Sequence, residues 1–490
     1  MLAFGPAFEP KIQSWYPNVI GERLPCEDRE FHMPTSYDTA VARMYALGQE
    51  LATTPAHKFD LAHMRVLLAA LGNPERKFPS VLIAGTNGKG STAATLASIL
   101  TSSGLRTGLY TSPHLVRINE RIVIDGEAIS DKRFALLHDL ADRTAERLVE
   151  DGELPWHPSF FEMLTAMAFE HFSTSKLDIA VLEVGMGGRL DATNVVDPRV
   201  SVITDISLDH QKFLGNTIAE IAREKAGIIH PGGILVTLPQ SPAANDVIGF
   251  AVLEQNATAV NAARYVPPVS PGSPDCLART NDSGDGMKPV SRYPLEVLGQ
   301  EILVESPLIG RHQLRNLALA ICAAEELGKQ GFKITPQSIA RGIRRTHWPG
   351  RFQVVPSSGS APEWVFDVAH NPAGAWALRA TLSACYRDRR LTLVFGAMGD
   401  KAIAEISEVL FPLAERVIAT QADNPRSVRP EGIREAASRT QSYIQIAFDV
   451  PSALGIARET AKAEEVIVVT GSIYVVGEAM RALGVSPDAK

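Results

Sequence analysis

Between residues 85 and 91 the chain reads Gly85-Thr86-Asn87-Gly88-Lys89-Gly90-Ser91. Small residues at this density let backbone N–H groups approach phosphate oxygens, and a lysine among them adds a mobile positive charge. The common phosphate loop has four residues between its glycines and Ser or Thr directly after Lys. Here residue 83 is Ile and Gly90 separates Lys89 from Ser91, so the match is to a variant loop. A plain tight turn has a similar composition, but the order of apolar run, glycines, Lys and Ser favours phosphate.

Other charged residues interrupt apolar patterns. Glu183 falls near the end of the apolar run 179–184 and leads into Gly185-Met186-Gly187-Gly188-Arg189-Leu190-Asp191-Ala192-Thr193-Asn194. A carboxylate in that position is costly unless paired, for instance with Arg189, or metal-bound. Asp205 and Asp209-His210 follow a second run at 200–204. From Thr217 onward, Ile218, Ile221, Ala222 and Lys225 share one helical stripe, which turns the lysine inward. An inward lysine snorkels, pairs with a carboxylate, or becomes a neutral nucleophile open to covalent modification. Arg311, His312, Gln313 and Asn316 open a helical pattern, Arg351 follows the Trp348-Pro349-Gly350 break, and Asp367 precedes His370-Asn371-Pro372. Their places at a linker and a strand end suggest one shared cleft. Gly396-Ala397-Met398-Gly399-Asp400-Lys401 is a second ligand-facing loop or an ordinary turn, and Phe160, Phe161, Met163, Leu164 and Met167 read as core.

The elements that must position these residues alternate. Helical patterns occur at 37–48, 61–71, 92–103 and 311–327, and buried-strand patterns at 80–84, 179–184, 200–204 and 234–238. Glycine-rich turns and long crossovers between the strands predict an α/β fold with a parallel sheet covered on both faces. A second set of strands, at 364–368, 391–395, 417–420 and 466–470, predicts a smaller α/β unit beyond the linker. The predicted division is an extension at 1–35, a first domain at 36–347 and a second at 348–490. The Pro-, Ser-, Gly- and Asp-rich stretch 267–294 breaks both periods and reads as a mobile insertion.

At 490 residues, with 45% apolar and 21% charged, the chain can bury more than one core. Its 48 Lys and Arg against 55 Asp and Glu give a net charge of -7, which argues against a dedicated nucleic-acid binder. Cys26, Cys276, Cys322 and Cys385 are too scattered for a zinc site or a disulfide framework. The first residues lack a basic stretch followed by an apolar run, and no apolar stretch is long enough to span a bilayer. A cytoplasmic protein without membrane partners is expected.

The motifs GTNGKGS, TSPHLVRINERI, LEVGMGGRLDATN, SLDH, EKAGI, GRHQLRN, PGRF, FDVAHNP and VTGSIY, in this order from Leu61 to Gly477, resemble the Mur ligase superfamily. Within it they are similar to the folylpolyglutamate synthase/dihydrofolate synthase enzymes. The resemblance implies a phosphate-loop ATP-binding N-terminal domain on a mostly parallel sheet and a smaller Rossmann-like C-terminal α/β domain. It implies that Thr86, Asn87, Gly88, Lys89, Gly90 and Ser91 bind ATP phosphates, and that Asn316, Arg351 and Asp367 complete the nucleotide site. Ser112, Glu183 and His210 would hold magnesium at two sites, with Lys225 carbamylated in their support. Asp60, Leu61, Ser159, Phe160, Phe161, Glu162, Leu190, Asp191 and Ala192 would line a pterin pocket. The chain departs from the family pattern at Ala62-His63-Met64, where Gly-Leu-Glu or Gly-Leu-Asp is common.

The implied reaction is ATP-dependent: a carboxylate becomes an acyl phosphate, the amine of L-glutamate attacks, and phosphate leaves. The loop Arg189-Leu190-Asp191-Ala192 looks like that of bifunctional members, which act on dihydropteroate and on reduced folates. Lys89, Lys225, His210 and Glu183 are the implied catalytic residues of a monomeric enzyme. Alternatives are a folylpolyglutamate synthase alone, another Mur-type ligase, or a phosphate-loop phosphotransferase or ATPase.

Overall fold

The computed structural model describes residues 35–48, 61–268, 277–280, 288–357, 361–440 and 443–485. Asp60, Cys26, Cys276, most of the 1–35 extension and residues 269–276 and 281–287 of the predicted insertion lie outside these residues. Eight strands form the first sheet: β1 (Ser80–Ala84), β2 (Thr107–Tyr110), β3 (Ile122–Ile124), β4 (Glu127–Ala128), β5 (Ile179–Glu183), β6 (Val200–Ile203), β7 (Ile234–Thr237) and β8 (Thr258–Asn261). Their order is β4-β3-β2-β5-β1-β6-β7-β8. All neighbours from β2 to β8 run parallel, and β3 and β4 add a short antiparallel edge.

β1 and β5 are buried along their whole lengths, as expected of central parallel strands covered on both faces. One apolar cluster, with Leu82, Leu182, Met163 and Phe169, fills one face; another, with Val81, Val181, Leu96 and Leu317, fills the other. The alternation of Leu82 and Leu182 with Val81 and Val181 follows from the two-residue period of a strand.

The second sheet contains β12 (Gln353–Val355), β13 (Glu363–Phe366), β14 (Leu391–Phe395), β15 (Arg416–Ala419), β16 (Gln445–Ile446) and β17 (Val466–Thr470) in the order β12-β13-β17-β14-β15-β16. It is parallel except for β12, and it too separates two apolar clusters.

Between the two in sequence comes a three-stranded antiparallel sheet in the order β11-β10-β9: β9 (Leu277–Thr280), β10 (Lys288–Val297) and β11 (Gln300–Ser306). Within the stretch 267–294, read as breaking both periods, residues 277–280 and 288–294 are strand. Ser291, Tyr293, Leu295 and Val297 are buried while Arg292, Pro294 and Glu296 are exposed, a two-residue alternation that the Pro and Ser content obscures. Pro294 pairs with Leu303 beyond the reach of β9, so it lies where β10 has a neighbour on one side only, a place that tolerates a missing N–H.

Candidate active site

The carboxyl ends of β1, β5 and β6 bring the phosphate loop, Glu183 and Asp205 to one edge of the first sheet, where open α/β sheets bind ligands. The loop is pinned from outside: Thr86 N and Asn87 N donate to the Asp205 carbonyl at 2.9 and 3.2 Å, and Thr86 Oγ1 donates to Ser207 O at 3.0 Å. Gly88 caps helix Lys89–Ser102 with φ +90°, and a Cβ there would sit 2.1 Å from Asn316 Oδ1. Both facts require glycine. A Cβ on Gly90 would meet the Trp348 ring at 2.6 Å, and the Lys89 ammonium donates to Thr86 O at 3.3 Å.

Asn316 is buried on helix Arg311–Lys329 and donates to Gln313 Oε1 at 2.8 Å, so the residue packed on the loop is itself held. Arg315, one residue earlier, forks onto the Asp205 carboxylate at 2.5 to 3.1 Å. Sequence reasoning missed Arg315; only its place beside Asn316 marks it.

Glu183 accepts from Ser112 N at 3.2 Å, which joins the ends of β5 and β2. Arg189 forms its ion pair with Glu224, at 2.9 Å, and not with Glu183. Arg351 lies in the field of Asp367 and Glu183, yet burial lowers its pKa. Burial raises that of Asp367, whose oxygens accept from Phe352 N and Ala369 N at 2.9 Å each.

Lys225 is 4% exposed on helix Ile218–Ala226, and its Nζ donates to the Gly85 carbonyl at 2.7 Å. It therefore points inward, as the stripe predicts, and reaches the phosphate loop. Burial, followed by the nearby Lys89 charge, pushes its pKa down to about 7. Half of such amines are neutral near neutral pH.

Asp209 gathers the edges of both sheets. Lys401 from the second sheet pairs with its Oδ1 at 2.6 Å, and Asn371 Nδ2 donates to its Oδ2 at 3.2 Å. The same Asn371 Nδ2 also donates to Asn87 Oδ1 in the phosphate loop at 3.0 Å. Burial would raise the Asp209 pKa, but His370, His210 and Lys401 hold it well below the usual carboxylate range. Neighbouring His210 is lowered to about 4, chiefly by burial, and its buried Nδ1 has no hydrogen-bond partner among the described residues.

A cavity of about 560 Å³ runs beside this cluster. Part of its wall is apolar, with Leu47, Leu61, Met64, Trp156, Phe161, Met186 and Phe213; another part is polar, with Ser112, His210, Arg351, His370, Lys401 and Arg426. Ser159, Glu162, Leu190, Asp191 and Ala192 also line it. Phe160 does not: its ring stacks on Tyr45 and lies under the Arg121 guanidinium. Ser159 and Glu162 are occupied with each other as the capping box of helix Phe160–Thr174. Asp191 staples its own loop, accepting from Met186 N, Thr193 N and Thr193 Oγ1, and burial raises its pKa. Phe161 packs so closely on Gly185 that a Cβ there would meet its ring at 2.6 Å. Arg426, which donates to Asp400 at 2.9 Å, was not singled out in the sequence; its position after β15 on the ligand-facing edge is the signal.

Among the described residues, no three His, Cys, Asp or Glu side chains converge to hold a metal, and no helix is long and apolar enough to cross a membrane. The Mur ligase middle domain family matches residues 160–324, and the Mur ligase glutamate ligase domain family matches residues 350–473. A Bacillus subtilis protein named dihydrofolate synthase/folylpolyglutamate synthase is 34% identical over 431 residues, covering 87% of this chain and 95% of that one. A Mycobacterium tuberculosis folylpolyglutamate synthase solved with ADP has 32% identity and a TM-score of 0.79, covering 92% of this chain and 99% of its own. An Escherichia coli structure in complex with DHPP and ADP has 28% identity and a TM-score of 0.73 over 92% and 98%. With the motifs in order and both sheets reproduced, the chain belongs to the dihydrofolate synthase/folylpolyglutamate synthase family of Mur ligases.

Proposed function

We propose that this chain is an ATP-dependent ligase that joins L-glutamate to dihydropteroate and to reduced folates, working as a cytoplasmic monomer without nucleic-acid partners. The observation that carries this reading is the two-natured cavity. Its apolar wall suits a flat ring system, and its polar wall, with Arg351, Lys401 and Arg426, suits carboxylates beside the phosphate loop.

In this reading Thr86, Asn87, Gly88, Lys89, Gly90 and Ser91 hold the triphosphate, with Asn316, Arg351 and Asp367 completing the nucleotide site. Leu61, Ser159, Phe161, Glu162, Leu190, Asp191 and Ala192 face the pterin. A carboxylate oxygen of the acceptor attacks the γ-phosphorus, and the bond to ADP breaks. The amine of glutamate then attacks the acyl carbon, an amide forms, and phosphate leaves. Lys89 and the loop N–H groups stabilise the charge carried by the transferring phosphoryl, where positioning and electrostatics supply most of the acceleration. The contacts of Asn371 and Lys401 across the cleft hold the second sheet against the site and help keep water from the acyl phosphate.

Ser112, Glu183 and His210 fit magnesium: a hydroxyl and a carboxylate are hard oxygen donors, and His210 Nδ1 is a buried atom without a hydrogen-bond partner among the described residues. Magnesium is usually held by one or two carboxylates together with substrate phosphates and water, so a cluster of three acidic side chains is not required. When bound it would neutralise phosphate charge. Lys225, as a carbamate, would turn a buried cation into an anion next to that set.

The test is ADP release. Dependence on both glutamate and dihydropteroate is the expected result. Release that ignores both substrates overturns the ligase in favour of a phosphotransferase or ATPase, and activity with tetrahydrofolate but not dihydropteroate restricts the enzyme to polyglutamylation.

A further inference from the structure

The apolar wall of the cavity carries an aromatic pair that the transfer chemistry does not use. His63 lies in the first turn of helix Leu61–Ala70, and Trp156 lies in the loop before helix Phe160–Thr174. Both line the cavity, with ring centroids 4.6 Å apart and planes at 57°. Trp156 keeps 37% of its surface exposed. An indole left half in water at a cavity wall is apolar area that a flat ligand can cover, and burying it is favourable. Two rings meeting at such an angle also offer a third ring one face to stack on and one edge to meet, the two geometries aromatic quadrupoles prefer.

The side chains differ in what they add. Indole supplies mostly area, whereas imidazole adds ring nitrogens able to hydrogen-bond. A polar heterocycle can therefore be read along its edge as well as gripped by its face. The pair joins two segments far apart in sequence, the helix start that carries His63 and the loop that carries Trp156.

We propose that His63 and Trp156 form the specificity-determining wall for the ring end of the carboxylic substrate, selecting a flat, uncharged, bicyclic heteroaromatic group. This rests on the ligase reading above and names the residues by which the cavity would recognise its acceptor.

Steady-state kinetics with dihydropteroate, glutamate and ATP test it in the full chain. Trp156→Ala raises KM for dihydropteroate about tenfold, the equivalent of one stacking contact, and leaves KM for ATP at its wild-type value. Trp156→Phe restores most of the loss, because a ring remains, and His63→Ala raises the same KM. Adding dihydropteroate quenches the tryptophan fluorescence of the wild type and quenches that of Trp156→Phe less. An unchanged KM in Trp156→Ala, or equal quenching in wild type and Trp156→Phe, overturns the assignment of this wall while leaving the ligase intact. Wild-type ADP release that ignores dihydropteroate and tetrahydrofolate alike overturns the ligase reading, and the wall with it.

Discussion

Replacing Lys225 by alanine is the sharpest perturbation of the proposed chemistry. Carbamate formation needs a neutral amine: its nitrogen attacks the carbon of CO2, a C–N bond forms, and a proton leaves. With a pKa near 7 about 90% of Lys225 side chains are neutral at pH 8, against about 0.4% for an ordinary lysine, a gain of roughly two-hundredfold. The same burial that makes the ammonium costly prepares the amine, and Gly85 O at 2.7 Å fixes its direction. Loss of one preorganised charged group beside a phosphoryl-transfer site lowers kcat by roughly a hundred- to a thousandfold.

Folding must be separated from chemistry. Alanine leaves the Gly85 carbonyl without its donor, a cost of about 1–3 kcal/mol, against a margin of roughly 5–15 kcal/mol for a typical domain. The variant should therefore fold with a lower Tm. Turnover is measured as glutamate-dependent ADP release, in wild type with and without added bicarbonate and in Lys225→Ala with and without formate or acetate. The expected results are loss of turnover in the variant and partial recovery with the small carboxylates, which cannot mend a packing defect. Full turnover in Lys225→Ala refutes the carbamate.

Other expectations follow from single contacts. Gly88→Ala places a Cβ 2.1 Å from Asn316 Oδ1 at a positive φ, so KM for ATP should rise at least about tenfold, since a cost of 1–2 kcal/mol for the left-handed backbone is added to the clash. Lys401→Met takes the ammonium from buried Asp209 and leaves it Asn371 and the His370 ring, so the loss stays below the about 3–5 kcal/mol of a buried charge with no partner; thermal unfolding should show it, and Asp209→Asn in the same chain should recover part of it. His171 is lowered to about 4 by burial and then by Arg133 and Arg106, and its Nδ1 accepts from Arg133. The unfolded chain therefore binds the extra proton first: stability is full above about pH 6.5 and falls as the pH drops toward 4. Urea midpoints at pH 7 and pH 5 should differ less in His171→Phe than in wild type.

Glu183 and Lys225 could be found without coordinates because each is a charge inside an apolar period, and such a breach must be compensated by something nearby. The strands at 80–84, 391–395 and 466–470 were legible for the complementary reason: an unbroken apolar run between turn residues has few alternatives. Other parts carried no local signal. β3 and β4 have three and two residues, too short to show a period. Arg315 and Arg426 are ordinary surface arginines until folding brings Asp205 and Asp400 beside them. His63 and Trp156 sit in a helix start and a loop, where neither alternation nor a stripe marks the side that faces a cavity.

The two sheets are joined at the site by contacts of two different kinds, and the difference bears on how the site opens. Leu115, in the loop after β2, packs against the apolar cluster of the second sheet, and the approach is close enough that a Cβ on Gly477 would overlap the Leu115 carbonyl at 1.9 Å. Withdrawing that half-buried side chain returns apolar surface to water at less than the about 1.5–3 kcal/mol of a fully buried one. Asn371 with Asn87 is instead a hydrogen bond that water can replace at a net cost of about 0.5–1.5 kcal/mol. Lys401 with Asp209 separates two charges that water can solvate. Both kinds of contact must part when the sheets separate, but only the polar ones expose groups that water, phosphate or carboxylate can then satisfy, whereas the Leu115 contact has no such substitute.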